Sequence, residues 1–389
     1  MTINVLSFTT LYPNEKQPRH GIFIEQRLKQ LIQAADIQLK VVAPVPWFPL
    51  KNKCFGQYGL YSEVAAHENR FGIDVYHPNY LVIPKIGMTI TPILLALSGL
   101  KRVKQVIKEG FKPDVIDAHY VYPDGVAAAL IGKWLNIPVI ITARGSDINV
   151  LPQYALPRKM ILWATKKAVM NITVSHALKE EMQKLGVPES KVEVLRNGVD
   201  LDTFKVLPEV RRAKRTNFKQ LVSVGNLIKL KGHHLVIEAL KELQDAELII
   251  VGEGPMEGQF KQLAIDCGVN ERVRFLGYKT HYELAEIYNK SDALVLASSR
   301  EGMSNVMLEA MACGTPVIAS SVGGAVEVVT SQSAGLLLKE RSVKGITNAV
   351  TILFQSMPRI EETRHHAEQF SWERTVKTMN KLLINIKSM

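Results

Sequence analysis

The chain has 389 residues, 47% of them apolar and 22% charged, enough apolar material for two to three buried cores at about 150 residues per domain; a single small module and a disordered chain are excluded. The longest apolar stretch, Ile86 to Leu100, is broken by Pro92 and is shorter than the roughly 20 residues that cross a bilayer, so no membrane span is expected. The net charge of +11 is uneven, with 24 Lys and Arg against 16 Asp and Glu in residues 1–200 and 24 against 21 in residues 201–389.

Residues Met1 to Phe8 lack a basic leader and a cleavage site and run straight into a strand-like segment, which places the chain in the cytoplasm as an expectation. Short β-branched runs then alternate with helix-length amphipathic segments, the pattern of βαβ units around a buried parallel sheet. The first series of expected strands is Ile3–Phe8, Ile37–Ala43, Val115–Ala118, Pro138–Thr142, Ile172–Val174 and Val192–Leu195. Arg19-His20-Gly21-Ile22 opens a helix whose apolar positions Ile24, Leu28, Leu31 and Ile32 fall at helical spacing, and Gly21 allows close backbone approach to a ligand. From Ile86 to Lys108 a stripe of Ile93, Leu97, Leu100, Val103 and Ile107 is decorated by Lys101, Arg102, Lys104 and Lys108. Such a helix either covers a sheet, the preferred reading, or lies on an anionic membrane, possessing both an apolar and a basic side.

The stretch Asp200 to Lys219, with Pro208 and the basic cluster Arg211, Arg212, Lys214 and Arg215, reads as an interdomain connection whose charges are exposed. A second series follows: Leu221–Val224, Glu247–Val251, Val273–Leu276, Ala293–Ala297 and Val317–Ala319. The expected domains are residues 1–200 and 201–372, with helix 373–389 packing back on the first. Two such domains enclose a cleft lined by strand-to-helix loops, where ligands of open α/β sheets sit. Cys54, Cys267 and Cys313 form no C-x-x-C pair and are expected as small core residues rather than a disulfide or zinc framework. The basic excess is accompanied by no aromatic-basic motif, so nucleic acid is not an expected partner.

Chemistry concentrates in Ser298-Ser299-Arg300-Glu301-Gly302-Met303-Ser304-Asn305-Val306-Met307-Leu308-Glu309. This segment follows a strand, turns at Gly302, offers Ser304 as an N-cap and continues as a helix to Gly314. The helix start suits phosphate, while Glu301 and Glu309 can accept hydrogen bonds from sugar and ribose hydroxyls. Lys231 precedes a helix expected over Gly232–Leu243, so its ammonium and the following amides converge on an anion. His119 ends the Val115–Ala118 strand; alone, it is as consistent with a structural group as with a catalytic one.

Glu301 and Glu309, with seven residues between them and followed by Ala-Met-Ala-Cys-Gly-Thr-Pro-Val, resemble the E-x7-E signature of the retaining group 1 (family 4) glycosyltransferases. Gly225-Asn226-Leu227 with Lys231-Gly232, Asn197-Gly198-Val199-Asp200, Gly252-Glu253-Gly254-Pro255, Phe275-Leu276-Gly277 and Gly323-Gly324 with Glu327 resemble further elements of that family. The resemblance runs from Gly21 to Phe370-Ser371-Trp372 and implies the GT-B fold, two facing Rossmann-like domains with the donor held mainly by the second. It implies a transferase that moves a sugar from a nucleoside diphosphate sugar, UDP by preference, to a saccharide or lipid-linked hydroxyl acceptor, with no metal or other cofactor and in cell-surface polysaccharide or glycolipid synthesis. It implies catalytic roles for Glu301, His119 and Lys231, and donor contacts from Gly21, Asn226, Lys231, Gly254, Glu301, Gly302, Met303, Ser304, Asn305 and Glu309. Arg144 and Asp147 would face the sugar or acceptor. Two positions depart from the family pattern: Asn226 stands where an arginine is usual, and Arg144 where a histidine is usual. Other readings of the same residues are a non-hydrolysing sugar-nucleotide epimerase and a catalytically silent nucleotide-sugar-binding protein.

Overall fold

Both series of apolar runs form parallel sheets in the computed structural model, which describes residues 2–47, 60–82, 87–212 and 218–388. Cys54, Ile86, Lys214 and Arg215 lie outside the described residues. The chain divides into two units, residues 1–196 with 373–389, and residues 197–372.

The first unit runs β1 (Ile3–Phe8), α1 (Ile22–Ala34), β2 (Ile37–Val42), β3 (Val45–Trp47), β4 (His67–Arg70), β5 (Ile73–Tyr76), β6 (Asn79–Leu81), α2 (Thr91–Lys108), β7 (Val115–His119), α3 (Val126–Leu135), β8 (Val139–Ala143), α4 (Ala155–Lys167), β9 (Met170–Thr173), α5 (His176–Lys184) and β10 (Val192–Val194). Its main sheet has the order β10-β9-β8-β7-β1-β2-β5-β4, parallel except for β4; β3 and β6 form a separate parallel pair. The strand direction of winding reverses at β1, which pairs β2 on one side and β7 on the other. Strand β4, His-Glu-Asn-Arg, carries no apolar alternation because it is a half-exposed edge, so sequence pattern alone does not reveal it.

The second unit runs β11 (Lys219–Val224), α6 (His233–Ala239), β12 (Ala246–Val251), α7 (Glu257–Asp266), β13 (Val273–Phe275), α8 (His281–Lys290), β14 (Ala293–Leu296), α9 (Asn305–Ala312), β15 (Val317–Ser320), β16 (Gly335–Leu338), α10 (Val343–Gln355) and α11 (Ile360–Glu368). Its sheet, β13-β12-β11-β14-β15-β16, is wholly parallel and switches winding between β11 and β14. Leu221, Leu248, Ile250, Val295 and Ile318 lie fully or almost fully buried within its core. The last helix, α12 (Trp372–Lys387), sends Val376, Met379, Leu383 and Ile386 into the core of the first unit beside Ile24 and Leu28, each such burial contributing about 1.5–3 kcal/mol.

Three expectations need correction. Helix α2 does not bury the stripe of large residues: it buries Pro92, Leu95, Ala96, Gly99, Val103 and Val106, leaving Ile93 and Leu97 exposed. The reason is close packing, since a Cβ on Gly99 would stand 2.5 Å from the Phe8 ring; small residues mark the contact face here, and bulk does not. Helix α6 stops at Ala239 instead of Leu243, because the Arg272 guanidinium takes the carbonyls of Leu240, Leu243 and Ala246 at 2.6–2.9 Å and closes the end as turns. Arg211, on the short helix Pro208–Arg212, is no exposed charge: it donates to Cys313 O at 2.6 Å and Thr315 Oγ1 at 3.0 Å. Cys313 is buried and Cys267 half-buried.

Candidate functional site

The winding switch of each sheet leaves a crevice at the carboxyl ends of its strands, and the candidate residues fall at these two places. In the second unit the loop after β11 carries Asn226 and Lys231, and the loop after β14 carries Glu301 to Ser304. Gly232, at φ +76°, is needed between them: a Cβ there would meet Ala297 O at 2.0 Å, so only glycine lets the two loops approach. The result is a direct ion pair. Lys231 Nζ lies 2.6 Å from Glu301 Oε1, which also accepts from Ser298 Oγ at 2.7 Å. Both side chains are largely but not wholly covered. Glu301 and Lys231, assigned by resemblance to different parts of a donor, therefore form one charged unit.

Around this pair the other candidates divide into groups that present polar atoms and groups that build backbone. The Gly302 carbonyl accepts from Gly324 N at 2.8 Å, which seats the Gly323-Gly324 turn on the Glu301 loop. Met303 and Ser304 are buried, and Ser304 sits at the N-cap without its hydroxyl capping the helix, contrary to expectation. Asn305 Oδ1 accepts from Asn197 Nδ2 at 2.9 Å, joining the Asn-Gly-Val-Asp segment to the start of α9. That segment is clasped in turn by the Phe-Ser-Trp segment, through Val199 N to Phe370 O at 3.0 Å. Gly254 serves packing: a Cβ would stand 2.6 Å from Leu227 O. Asn226 is exposed, so the position where a fixed cation is usual presents an amide.

Glu309, in the second turn of α9, is buried and accepts from the Tyr288 hydroxyl at 3.2 Å. Burial pushes its carboxyl up to about 7, with the tyrosine bond opposing. A carboxyl whose folded pKa is raised favours the fold when protonated, so its stabilising contribution is complete below the unfolded value near 4.5 and is lost as pH rises through about 7. Glu309→Gln is expected to flatten this dependence: thermal melts between pH 5 and pH 8 fall less steeply for the variant than for the parent, and parallel profiles would show that Glu309 does not titrate with folding. Sequence reading missed Arg341, whose Nε donates at 2.8 Å to Ala297 O, the carbonyl over which Gly232 turns; it lies more than 100 residues along the chain from Lys231, without a local motif.

In the first unit, Gly21 precedes α1 at φ +73°, and a Cβ would meet Leu11 O at 2.1 Å. The close approach expected of Gly21 is thus to the chain's own backbone. His119, at the end of β7, is completely buried and both ring nitrogens are turned inward: Nδ1 lies 3.1 Å from Arg144 Nη2 and Nε2 lies 3.4 Å from Asp117 Oδ2. The guanidinium can only donate, so Nδ1 accepts and the ring proton resides on Nε2 toward Asp117. Burial, with Arg144 and Arg27, holds the imidazole well below its ordinary pKa and therefore neutral. Where a ligand-facing histidine was expected, this one positions Arg144. Burial and then Arg27 lower Arg144 to about 9, which leaves it cationic at neutral pH; its guanidinium also lies 5.2 Å from the centre of the Phe23 ring at the start of α1.

Asp147 likewise departs from its expected role. It is buried and accepts backbone amides from Gly145 at 2.7 Å, Val121 at 2.8 Å and Arg144 at 3.1 Å, so it holds the loop that carries Arg144. Asp124 does the same for the loop after β1, accepting from Thr10 N at 2.7 Å and both threonine hydroxyls of Thr9 and Thr10. Asp117 and Arg27, buried on β7 and α1, went unnoticed because a charge inside an apolar run reads as noise in periodicity. A buried aspartate in Val-Ile-Asp-Ala-His was the available signal.

Comparison with known proteins bears on both units. The family model described as Glycosyltransferase Family 4 matches residues 26–203, and that described as Glycosyl transferases group 1 matches residues 209–374. The chain is 30% identical over 362 residues, 90% of its length and 88% of the relative's, to the putative teichuronic acid biosynthesis glycosyltransferase TuaC of Bacillus subtilis (strain 168). It is 32% identical to the D-inositol 3-phosphate glycosyltransferase of Mycobacteroides abscessus over 74% of this chain and 69% of that one. Among solved structures, sucrose-phosphate synthase from Thermosynechococcus elongatus superposes with a TM-score of 0.80 at 18% identity over 100% of both chains. HepE from Anabaena, solved in complex with UDP, superposes with a TM-score of 0.73 at 18% identity, covering 99% of this chain and 100% of that one.

Proposed function

This chain belongs to the group 1, family 4 glycosyltransferases and has their GT-B fold, and from that membership we propose that it transfers a sugar from a nucleoside diphosphate sugar, UDP-linked by preference, to a hydroxyl acceptor with retention at the anomeric carbon. The observation that carries the reading is the Lys231–Glu301 pair at the winding switch of the second unit. A cation and a hydroxyl acceptor meet there on one spot, as a phosphorylated sugar requires. Lys231 takes the diphosphate, whose charge grows as the glycosidic bond breaks, so its contribution rises toward the transition state. Glu301 accepts from donor-sugar hydroxyls and Glu309 from the ribose. The transition state is oxocarbenium-like, and the lysine, together with the amides at the start of α9, supplies the positive charge without a metal ion.

Likeness to a UDP-bound neighbour supports the uridine base, and the relatives' names support a cell-surface polysaccharide or other glycoconjugate as product. Arg144, fixed by His119, offers a cation to an acceptor bearing an anionic group. The histidine acts here as a positioning residue and leaves proton transfer to other groups.

Thermal shift against a panel of nucleotide sugars tests the donor, because a ligand that binds only the folded state raises the melting temperature in proportion to occupancy. UDP-sugars are expected to give the largest rise; a larger rise with another base would reassign the nucleotide. With the identified donor, Glu301→Gln is expected to fold normally and to turn over at least about tenfold more slowly. Near-normal transfer would remove its role, and release of an isomerised free nucleotide sugar without acceptor would identify an epimerase instead.

A further inference from the structure

Helix α2 presents an outward face of unusual order along its axis. Its first half exposes Ile93 (44%) and Leu97 (54%), preceded by Met88 (42%) on the turn that leads into it. One turn further on, the same face carries Lys101, Lys104 and Lys108, all exposed. The pair β3–β6 packs beside the helix through Ser98 Oγ, which donates to Asn79 O at 2.7 Å. Its register partners Trp47 (47%) and Leu81 (46%) are also exposed. The face is rigid rather than frayed: Thr91 Oγ1 donates to Gly87 O at 2.6 Å, and the Tyr122 hydroxyl to Met88 O.

Between α2 and the strand ends lies a recess of about 330 Å³ lined by Ser98, Lys101, Arg102 and Gln105 on one side and Pro78 and Asn79 on the other. Arg102 is braced over the Tyr76 ring at 5.1 Å, which keeps its charge beside this opening.

We propose that this face is a docking surface for an anionic lipid bilayer. Met88, Ile93, Leu97, Trp47 and Leu81 enter the boundary of headgroups and acyl chains, and Lys101, Lys104 and Lys108 lie against lipid phosphates. Exposed large apolar groups in one patch are normally covered by something. The lysines that continue the patch, within a half of the chain carrying an excess of eight positive charges, match an anionic surface and repel a second copy of themselves. The recess lined by Lys101 and Arg102 suits one headgroup phosphate. This goes beyond the transfer reaction and is tested without a sugar donor, so either can fail alone.

The experiment is sedimentation of the full chain with vesicles of phosphatidylcholine, or of phosphatidylcholine mixed with phosphatidylglycerol, at low and high salt. Binding to the mixed vesicles only, weakening as salt screens the charges, is the expected result. Lys101→Ser with Lys104→Ser is expected to weaken it roughly thirtyfold, the worth of two surface lysines; Ile93→Ser with Leu97→Ser is expected to weaken it about tenfold or more. All four positions are exposed, so unchanged melting curves confirm folding. Absence of binding to mixed vesicles, binding unaffected by both variants, or a concentration-dependent dimer that Ile93→Ser with Leu97→Ser makes monomeric would each overturn the proposal.

Discussion

Lys231→Ala weakens binding of a nucleoside diphosphate by ~1.5–3 kcal/mol, the range for hydrogen bonds to charged groups, and calorimetry reads this as a loss of roughly ten- to a hundredfold in affinity. The ion pair with Glu301, 2.6 Å across, gives the prediction a second arm of opposite sign. In the free protein the carboxylate competes with the diphosphate for the same ammonium. Glu301→Gln removes the competing charge, so diphosphate affinity rises a few-fold even as sugar transfer falls. A lysine that merely paired with a structural glutamate would give neither result; unchanged diphosphate affinity in Lys231→Ala sinks the assignment. The double variant Lys231→Ala with Glu301→Gln loses affinity like the lysine variant alone, because the competition has no object once the ammonium is gone.

Asp147→Ala has the largest expected effect on folding, about 3–5 kcal/mol in denaturant unfolding of the first unit. Three backbone amides, of Val121, Arg144 and Gly145, end on its carboxylate, and removing a buried charged acceptor leaves every one of those donors without it. Asp147→Asn keeps one carbonyl oxygen and is expected to lose about half as much. Because the Arg144 amide is among the three, the alanine variant also frees the loop that sets Arg144 against His119. Amide exchange in residues 144–149 is expected to accelerate before global unfolding. Normal stability and protected amides in Asp147→Ala would show that the loop is held by other contacts.

Much of the architecture could be read before any coordinates. Strands Ile3–Phe8, Lys219–Val224 and Ala246–Val251 are buried on both faces, so each stands out as a continuous β-branched run. Edge and short strands such as His67–Arg70 and Gly335–Leu338 were invisible, because an edge has no apolar face to advertise and a four-residue run carries no period. The same logic explains α2. Periodicity weighs bulk, whereas the contact with Phe8 selected Ala96 and Gly99 for their smallness, so the large residues it singled out are the exposed ones.

Which residue types crowd the strand ends was a property of the sequence: the glutamates of the Glu301–Glu309 segment, Lys231 before a helix, His119 ending a strand, a glycine wherever two loops must touch. Which of them meet was not, since a residue's partner depends on crossings between segments far apart in the chain. Lys231 finds Glu301 across 70 residues because Gly232 lets two loops pass at backbone distance. His119 turns to Arg144 and Asp117 because burial leaves a buried polar atom no partner but another buried polar atom. Local sequence determined the elements and their chemistry; tertiary packing decided which charges are neutralised, which are held in reserve for a ligand, and which serve only to hold a loop in place.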